Sequence, residues 1–191
     1  DIFVEDIVEG DVISGDGYIV EPFEVEHGIN AFGFMFQEET QVKANKEKMK
    51  KYGLGSSPKV GKLKQGESVE IDGEEIHPED VVEKVPGRKV VYSGDTSKCD
   101  NTVERSKDAD LLIHEATCEH ELIESRKNHT SAKQAAEIAE EANVSKLVLT
   151  HLSRRYRNSS QELLEEAREV FEQTEIGRDG RKFEIKPHRP E

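Results

Sequence analysis

Lys89-Val90-Val91-Tyr92-Ser93-Gly94-Asp95-Thr96 reads as a short buried strand of β-branched and aromatic residues that stops at Gly-Asp-Thr. Such an ending sets a carboxylate at the carboxyl edge of a sheet, where open α/β folds hold their ligands. A Gly-Asp turn after a core strand is ordinary on its own. Its meaning depends on what the other strands carry at the same end.

Downstream the pattern is regular. Thr102–Lys107 reads as a short helix, and Leu111-Leu112-Ile113 as a buried strand running into His114-Glu115-Ala116-Thr117. Ser131-x-x-Gln134 matches a capping box, and Ala135, Ala136, Ile138, Ala139 and Ala142 give the helix behind it a small-residue face. Leu147-Val148-Leu149 is the next buried strand and ends in Thr150-His151. A second capping box, Ser159-x-x-Glu162, opens a last helix with Leu163, Leu164, Ala167, Val170 and Phe171 on one face. Phe183-Glu184-Ile185 reads as one further strand. Strands alternating with helices predict the α/β class.

Upstream, Ile2-Phe3-Val4, Val12-Ile13 and Tyr18-Ile19-Val20 are apolar stretches, with a hairpin signal at Gly15-Asp16-Gly17. Phe23-Glu24-Val25-Glu26 alternates strictly and delivers His27 and Gly28, after which Ala31–Phe36 returns as a strand. Between Glu38 and Arg88 the character changes. A helix is expected over Gln41–Tyr52, closed by Gly53. Gly55, Pro58, Gly61, Gly66, Gly73, Pro78 and Pro86 follow in a polar, turn-rich stretch that offers little to a core. It reads as an insertion projecting from the domain. The expected organisation is therefore strands over 1–38, the insertion over 39–88, and the α/β half over 89–191.

Charged residues make up 36% of the 191 and the formal net charge is −14, which argues against nonspecific nucleic-acid binding by the whole surface. A local basic site is still present. Residues 43–64 hold eight lysines (43, 46, 48, 50, 51, 59, 62 and 64) against one acid, Glu47, the footprint of a phosphate-binding element. A solvated lysine face is the alternative reading of such a run. No apolar stretch approaches the roughly 20 residues that span a bilayer, which predicts no membrane association. Two cysteines, Cys99 and Cys118, make no disulfide framework and fit a reducing cytoplasm; both read as small buried thiols.

The strand ends carry the chemistry. Asp95 follows one strand, His114 and Glu115 another, His151 a third and His27 an earlier one, while His129 precedes a helix. Imidazole nitrogen and carboxylate oxygen are together the ligand set of zinc and similar divalent ions, and an aspartate can bridge two cations. His77 and His188, beside prolines, and His120, among glutamates, read as surface residues, and His114 as structural.

Tyr92-Ser93-Gly94-Asp95-Thr96, His114-Glu115-Ala116-Thr117, Asn128-His129-Thr130-Ser131 and Leu149-Thr150-His151-Leu152-Ser153-Arg154-Arg155-Tyr156 occur in that order behind Glu26-His27-Gly28. Together they closely resemble ribonuclease Z, the tRNA 3′-processing endonuclease family of the metallo-β-lactamase superfamily, from about His27 to the last helix. The resemblance implies an αββα metallo-β-lactamase sandwich, of which this chain would supply mainly the carboxyl half. It implies that His27, Asp95 and His151 are ligands of two zinc ions, with Asp95 bridging. Glu115 and His129 would form a catalytic pair near the scissile phosphate. Arg155 and Tyr156 would contact phosphate or the 3′ end of a precursor tRNA. Residues 39–88 would be the family's flexible arm, gripping the tRNA body through lysines such as Lys59, Lys62 and Lys64; its usual Gly-Pro pair is here Ser57-Pro58. A homodimer is implied by the family alone.

The family's main metal motif, His-x-His-x-Asp-His, is absent from these residues and is expected upstream of His27. With a start at Asp1 rather than Met, the expectation is a carboxyl portion of a longer enzyme, inactive by itself. Two rival readings stand beside it. One is a small-molecule hydrolase of the same fold, arylsulfatase-like or lactonase-like, which would not need the lysine-rich arm. The other is a degenerate RNA-binding or dimerisation partner without catalysis.

Overall fold

The computed structural model describes residues 6–190, so the Ile2-Phe3-Val4 stretch lies outside the described residues. The chain divides into two compact units. The first takes the described residues through Glu38 together with Arg88–Ile185; the second takes Glu39–Gly87 with 186–190.

The first unit is built on a seven-stranded sheet. Its strands are β1 (Ile13–Gly15), β2 (Tyr18–Glu26), β3 (Asn30–Glu38), β8 (Lys89–Tyr92), β9 (Leu111–Glu115), β10 (Leu147–Thr150) and β11 (Thr174–Ile176), in that spatial order. The β1–β2 hairpin turns at Asp16-Gly17, with Gly15 paired to Tyr18. Tyr18–Val20 and Phe23–Glu26 are one strand, not two, running straight through Pro22. Pro22 lies beyond Val20, the last residue of β2 that β1 pairs, so its missing N–H is tolerated on an edge-like stretch.

The helices of this unit are α4 (Asp100–Ser106), α5 (Ala132–Glu141) and α6 (Gln161–Arg168). Val91, Leu112, Leu147 and Leu149 form one core with Val103, Ala135, Ala136, Ile138, Ala139, Leu163 and Ala167, which fixes the helical layer on that sheet face. The opposite face is also apolar: register aligns Val20, Phe36, Val90 and Leu111, and beside them Phe34, Tyr92 and Ile113. The Ser131 capping box forms, with its hydroxyl on the Gln134 amide and the Gln134 side chain on the Ser131 amide. Such a cap contributes about 1 kcal/mol.

Two further readings of this unit change. Ser159-x-x-Glu162 makes no capping box: Ser160 takes the cap position of α6 without a side-chain cap bond, and Ser159 Oγ accepts only from the Gln161 amide, at 3.5 Å. The last strand is Thr174–Ile176, which pairs parallel with β10. Phe183–Ile185 has no strand partner; it runs as irregular chain whose Ile185 carbonyl accepts from the Arg88 guanidinium at 3.0 Å.

The second unit contains two two-stranded antiparallel sheets, β4 (Gln41–Ala44) with β7 (Val82–Val85) and β5 (Val69–Ile71) with β6 (Glu74–Ile76). Its helices are α1 (Lys46–Lys51), α2 (Lys59–Lys64) and α3 (Pro78–Val81). The helix expected from Gln41 starts only after Asn45, whose side chain caps the Glu47 and Lys48 amides at 3.0 and 3.1 Å. Gln41–Ala44 are drawn into a strand because Val82–Val85 offers a ladder. Nor is the segment coreless: Leu54, Leu63, Val69, Ile76 and Val81 pack into a small buried cluster of their own. No helix among the described residues is long and apolar enough to cross a membrane.

Candidate metal centre

Because β2 and β8 are each antiparallel to β3, and β8, β9 and β10 are mutually parallel, β2, β8, β9 and β10 all run the same way. Their carboxyl ends therefore meet at one sheet edge, the place where α/β sheets hold ligands. His27 follows β2, Asp95 follows β8, Glu115 ends β9 and His151 follows β10. His129 arrives from the loop between the 3-10 turn His120–Ser125 and α5.

Backbone geometry at two of these ends is special. Gly94 has φ +65°, and a Cβ there would sit 2.8 Å from the Phe32 carbonyl oxygen, so only glycine can precede Asp95 in this turn. His151 itself has φ +53°, a left-handed conformation that costs a non-glycine residue of order 1 kcal/mol and concentrates at functional sites. The neighbouring chain holds it there: the Ala116 amide donates to the Thr150 carbonyl at 2.9 Å, and the Ser153 amide to the Thr117 carbonyl at 3.0 Å.

The side chains converge. The His129 ring lies 5.1 Å edge-on from His27 and 5.3 Å, stacked, from His151. Glu115 is 1% exposed and sits beneath them. Its Oε1 accepts from His129 Nδ1 at 2.8 Å and from the Thr96 amide at 2.9 Å; its Oε2 accepts from Thr117 Oγ1 at 2.8 Å. The Ser93 hydroxyl accepts from the Glu115 amide, and Thr130 Oγ1 donates to the Thr96 carbonyl at 2.6 Å. A buried carboxylate so supplied with donors is stabilised in place.

Two tautomers follow from acceptor chemistry. The Asn128 carbonyl can only accept, so His27 Nδ1, 2.8 Å away, carries a proton. His129 Nδ1 likewise donates to the Glu115 carboxylate. Each neutral ring then presents a bare Nε2, the form that ligates metal.

Ligand atoms of Glu115, His129 and His151 can be chosen within 4.8 Å of one another. Of the carboxylates, Asp95 is the better ligand. Glu115 already accepts three hydrogen bonds, whereas Asp95 Oδ2 stands 3.3 Å from His151 Nε2 and is part-exposed. Two donors about 2.1 Å from one tetrahedral zinc lie about 3.4 Å apart, so this pair has the spacing of two ligands on one ion. The donor set fits a divalent metal.

The other candidates lie elsewhere. Arg155 is exposed, with its guanidinium 5.3 Å from the Tyr156 ring centre. Tyr156 is 5% exposed and its hydroxyl donates to Glu119 Oε2 at 2.9 Å; burial pushes its pKa up. Lys59, Lys62 and Lys64 are exposed on α2 of the second unit. His114 is fully buried on the helical face with Nδ1 2.7 Å from its neighbour's carbonyl, and burial pushes its pKa down. Cys99 and Cys118 are buried free thiols, and burial pushes Cys118 up, away from reactivity. His77 is exposed and hydrogen-bonded to Ser68, whereas His120 is half-buried against Ser131. Residue-type reasoning missed the hydroxyl scaffold of Ser93, Thr96, Thr117 and Thr130, although all four lie inside the motifs already singled out.

A sheet with this edge cluster defines a metallo-β-lactamase-type domain, and the family model described as "Beta-lactamase superfamily domain" matches residues 81–152. The metallo-β-lactamase fold protein YhfI from Bacillus subtilis shares the fold with a TM-score of 0.61 and 20% identity, over 93% of this chain and 54% of that one. The ribonuclease Z of Archaeoglobus fulgidus is 43% identical over 192 residues, which is 97% of this chain and 62% of that protein. That of Methanosarcina acetivorans is 40% identical, over 95% of this chain and 61% of the relative. The chain has the metallo-β-lactamase fold and is similar in sequence to curated ribonuclease Z proteins, spanning about three fifths of the length of these relatives.

Proposed function

We propose that this chain is part of a zinc-dependent endoribonuclease that removes the 3′ trailer from precursor tRNA. The observation that carries the proposal is the meeting of His27, Asp95, Glu115, His129 and His151 at one sheet edge, in a chain 43% identical to a curated ribonuclease Z. His27, Asp95 and His151 would hold the metal through imidazole nitrogen and carboxylate oxygen. When bound, such a pair of cations supplies a water of lowered pKa and neutralises charge building on the phosphoryl group. Glu115 fixes the His129 ring, which stabilises charge or moves a proton at Nε2 beside the scissile phosphate. Arg155 engages phosphate, with Tyr156 packed beneath its guanidinium. Lys59, Lys62 and Lys64 grip the tRNA body through sequence-independent phosphate contacts, so that shape selects the substrate. A homodimer working in the cytoplasm belongs to the same reading.

Three donors do not complete two zinc sites, since each ion takes about four ligands. The proposal accordingly requires further ligands besides these three. The test is to incubate the longer protein, including the upstream residues, with 3′-extended precursor tRNA. Cleavage that a chelator abolishes and zinc restores is the expected result. A longer protein that binds no zinc would sink the proposal. Turnover of a small ester, unaffected by deletion of residues 43–64, would replace it with the small-molecule hydrolase reading.

A further inference from the structure

We propose that Thr117 is a positioning residue whose hydroxyl, by donating to Glu115, obliges His151 to carry its proton on Nδ1 and holds Nε2 bare toward Asp95. Thr117 is 6% exposed, and its single hydroxyl proton has three possible acceptors within reach, one of them a bare His151 Nδ1 at 3.1 Å. Glu115 Oε2 lies at 2.8 Å and the His151 carbonyl at 3.4 Å. The shorter, charge-assisted bond takes the proton, because without it Oε2 of a buried carboxylate would lose its partner. The Thr117 oxygen then has only lone pairs to offer His151 Nδ1, 3.1 Å away. Two lone pairs cannot bond, so Nδ1 must supply the proton.

The opposing arrangement is equally concrete. His151 Nε2 lies 3.3 Å from Asp95 Oδ2, and a proton on Nε2 would make that contact a hydrogen bond. A ring so arranged is closed to metal. Thr117 decides between the two states, and it does so with the carboxylate that also sets His129. One buried glutamate thereby orients two imidazoles, one directly and one through a hydroxyl. Threonine suits the task because its branched Cβ restricts χ1 and keeps the hydroxyl between its two partners. The same residue steadies the left-handed turn of His151, since its carbonyl accepts from the Ser153 amide.

The consequence for metal binding rests on the proposed zinc reading, but the tautomer does not. The experiment is long-range nitrogen–proton NMR of the metal-free protein labelled in histidine. It is run about two pH units above the ordinary imidazole pKa, with His151 assigned from the spectrum of His151→Gln. The expected wild-type signal is the Nδ1–H tautomer at His151. Thr117→Val shifts it toward Nε2–H, and Thr117→Ser restores it, which general loss of packing would not do. His27, whose proton is fixed by the Asn128 carbonyl, serves as the internal control for folding. Should the valine variant unfold, Thr117→Ala takes its place, and the wild-type tautomer is decisive in either case. An Nε2–H tautomer in the wild type, or no change on losing the hydroxyl, overturns the proposal. Zinc titration of the same samples is expected to weaken by about 10- to 100-fold in Thr117→Val. A shifted tautomer with no zinc bound by any form would uphold the role of Thr117 and sink the metal reading instead.

Discussion

The sheet unit and the arm unit place their charged groups in opposite ways. In the sheet unit Glu115 is 1% exposed and each of its oxygens is matched to named donors, so that the His129 ring is held against it. In the arm unit the buried cluster is five aliphatic side chains, and the lysines of α1 and α2 lie on the surface. Eight carboxylates between residues 67 and 83 follow the eight lysines of 43–64, so the basic character is confined to the first half of the segment. The difference teaches what each unit can be asked to do. Chemistry at a reacting atom needs donors fixed to within a fraction of an ångström, which burial and hydrogen bonding supply. Holding a polyanion needs exposed, mobile charge that acts through counterion release.

The sharpest way to break this division is to compare Glu115→Gln with the triple variant Lys59→Ala, Lys62→Ala, Lys64→Ala in the longer protein. Glu115→Gln is expected to lower kcat by about 10²- to 10⁴-fold and leave KM near its starting value. The lysine variant is expected to raise KM at least tenfold with kcat unchanged, and to reduce the slope of log affinity against log salt by about two to three. Steady-state kinetics on precursor tRNA at several salt concentrations reads both. A lysine variant that lowers kcat alone would show that the arm takes part in the chemical step.

A second comparison tests whether the units stand apart energetically. Leu63 is fully buried in the arm cluster, and Leu63→Ala should cost about 2–5 kcal/mol. A core of five side chains has little to spare, so hydrogen exchange in the arm should rise toward the unprotected rate. The amides of Val91, Leu112 and Leu149 in the sheet should keep their protection. Loss of protection at those amides as well would mean that the two units unfold together.

What the sequence revealed follows the same divide. The strands ending at Glu26, Tyr92, Glu115 and Thr150 were legible because β-branched runs stop at residues of distinctive chemistry, and the Ser131 capping box was legible because its partners are three residues apart. Gln41–Ala44 was misread as helix because its strand partner, Val82–Val85, lies some forty residues away. Thr174–Ile176 was missed because three residues carry no periodicity, and its identity as a strand comes from the β10 ladder. At the site, His27, Asp95, Glu115, His129 and His151 announced themselves by type. The role of Thr117 did not, because a threonine after a strand looks like any other until its hydroxyl is found between a carboxylate and an imidazole. Nor could the left-handed φ of His151 be read from a sequence that shows no glycine there.

The smallest effect concerns a group the sheet unit buries without using at its edge. His114 is fully buried, and burial lowers its pKa below the ordinary imidazole value. Its Nδ1 is engaged by the Glu115 carbonyl, while Nε2 has no hydrogen-bond partner among the described residues. The folded protein therefore keeps this ring neutral at pH values where the unfolded chain has already taken up a proton. Stability from His114 is fully present above the unfolded pKa of about 6.5 and is lost as pH falls through the window between that value and the lower folded one. One proton corresponds to a slope of about 1.4 kcal/mol per pH unit there. Carboxylates contribute their own loss at lower pH, so the informative quantity is a difference. Urea unfolding of wild type and His114→Gln across this window should show the slope in the first and not in the second. Equal slopes would mean that the ring is protonated in the fold, with Nε2–H finding an acceptor, and that the layer beneath this sheet edge is more polar than its alanine-rich packing suggests.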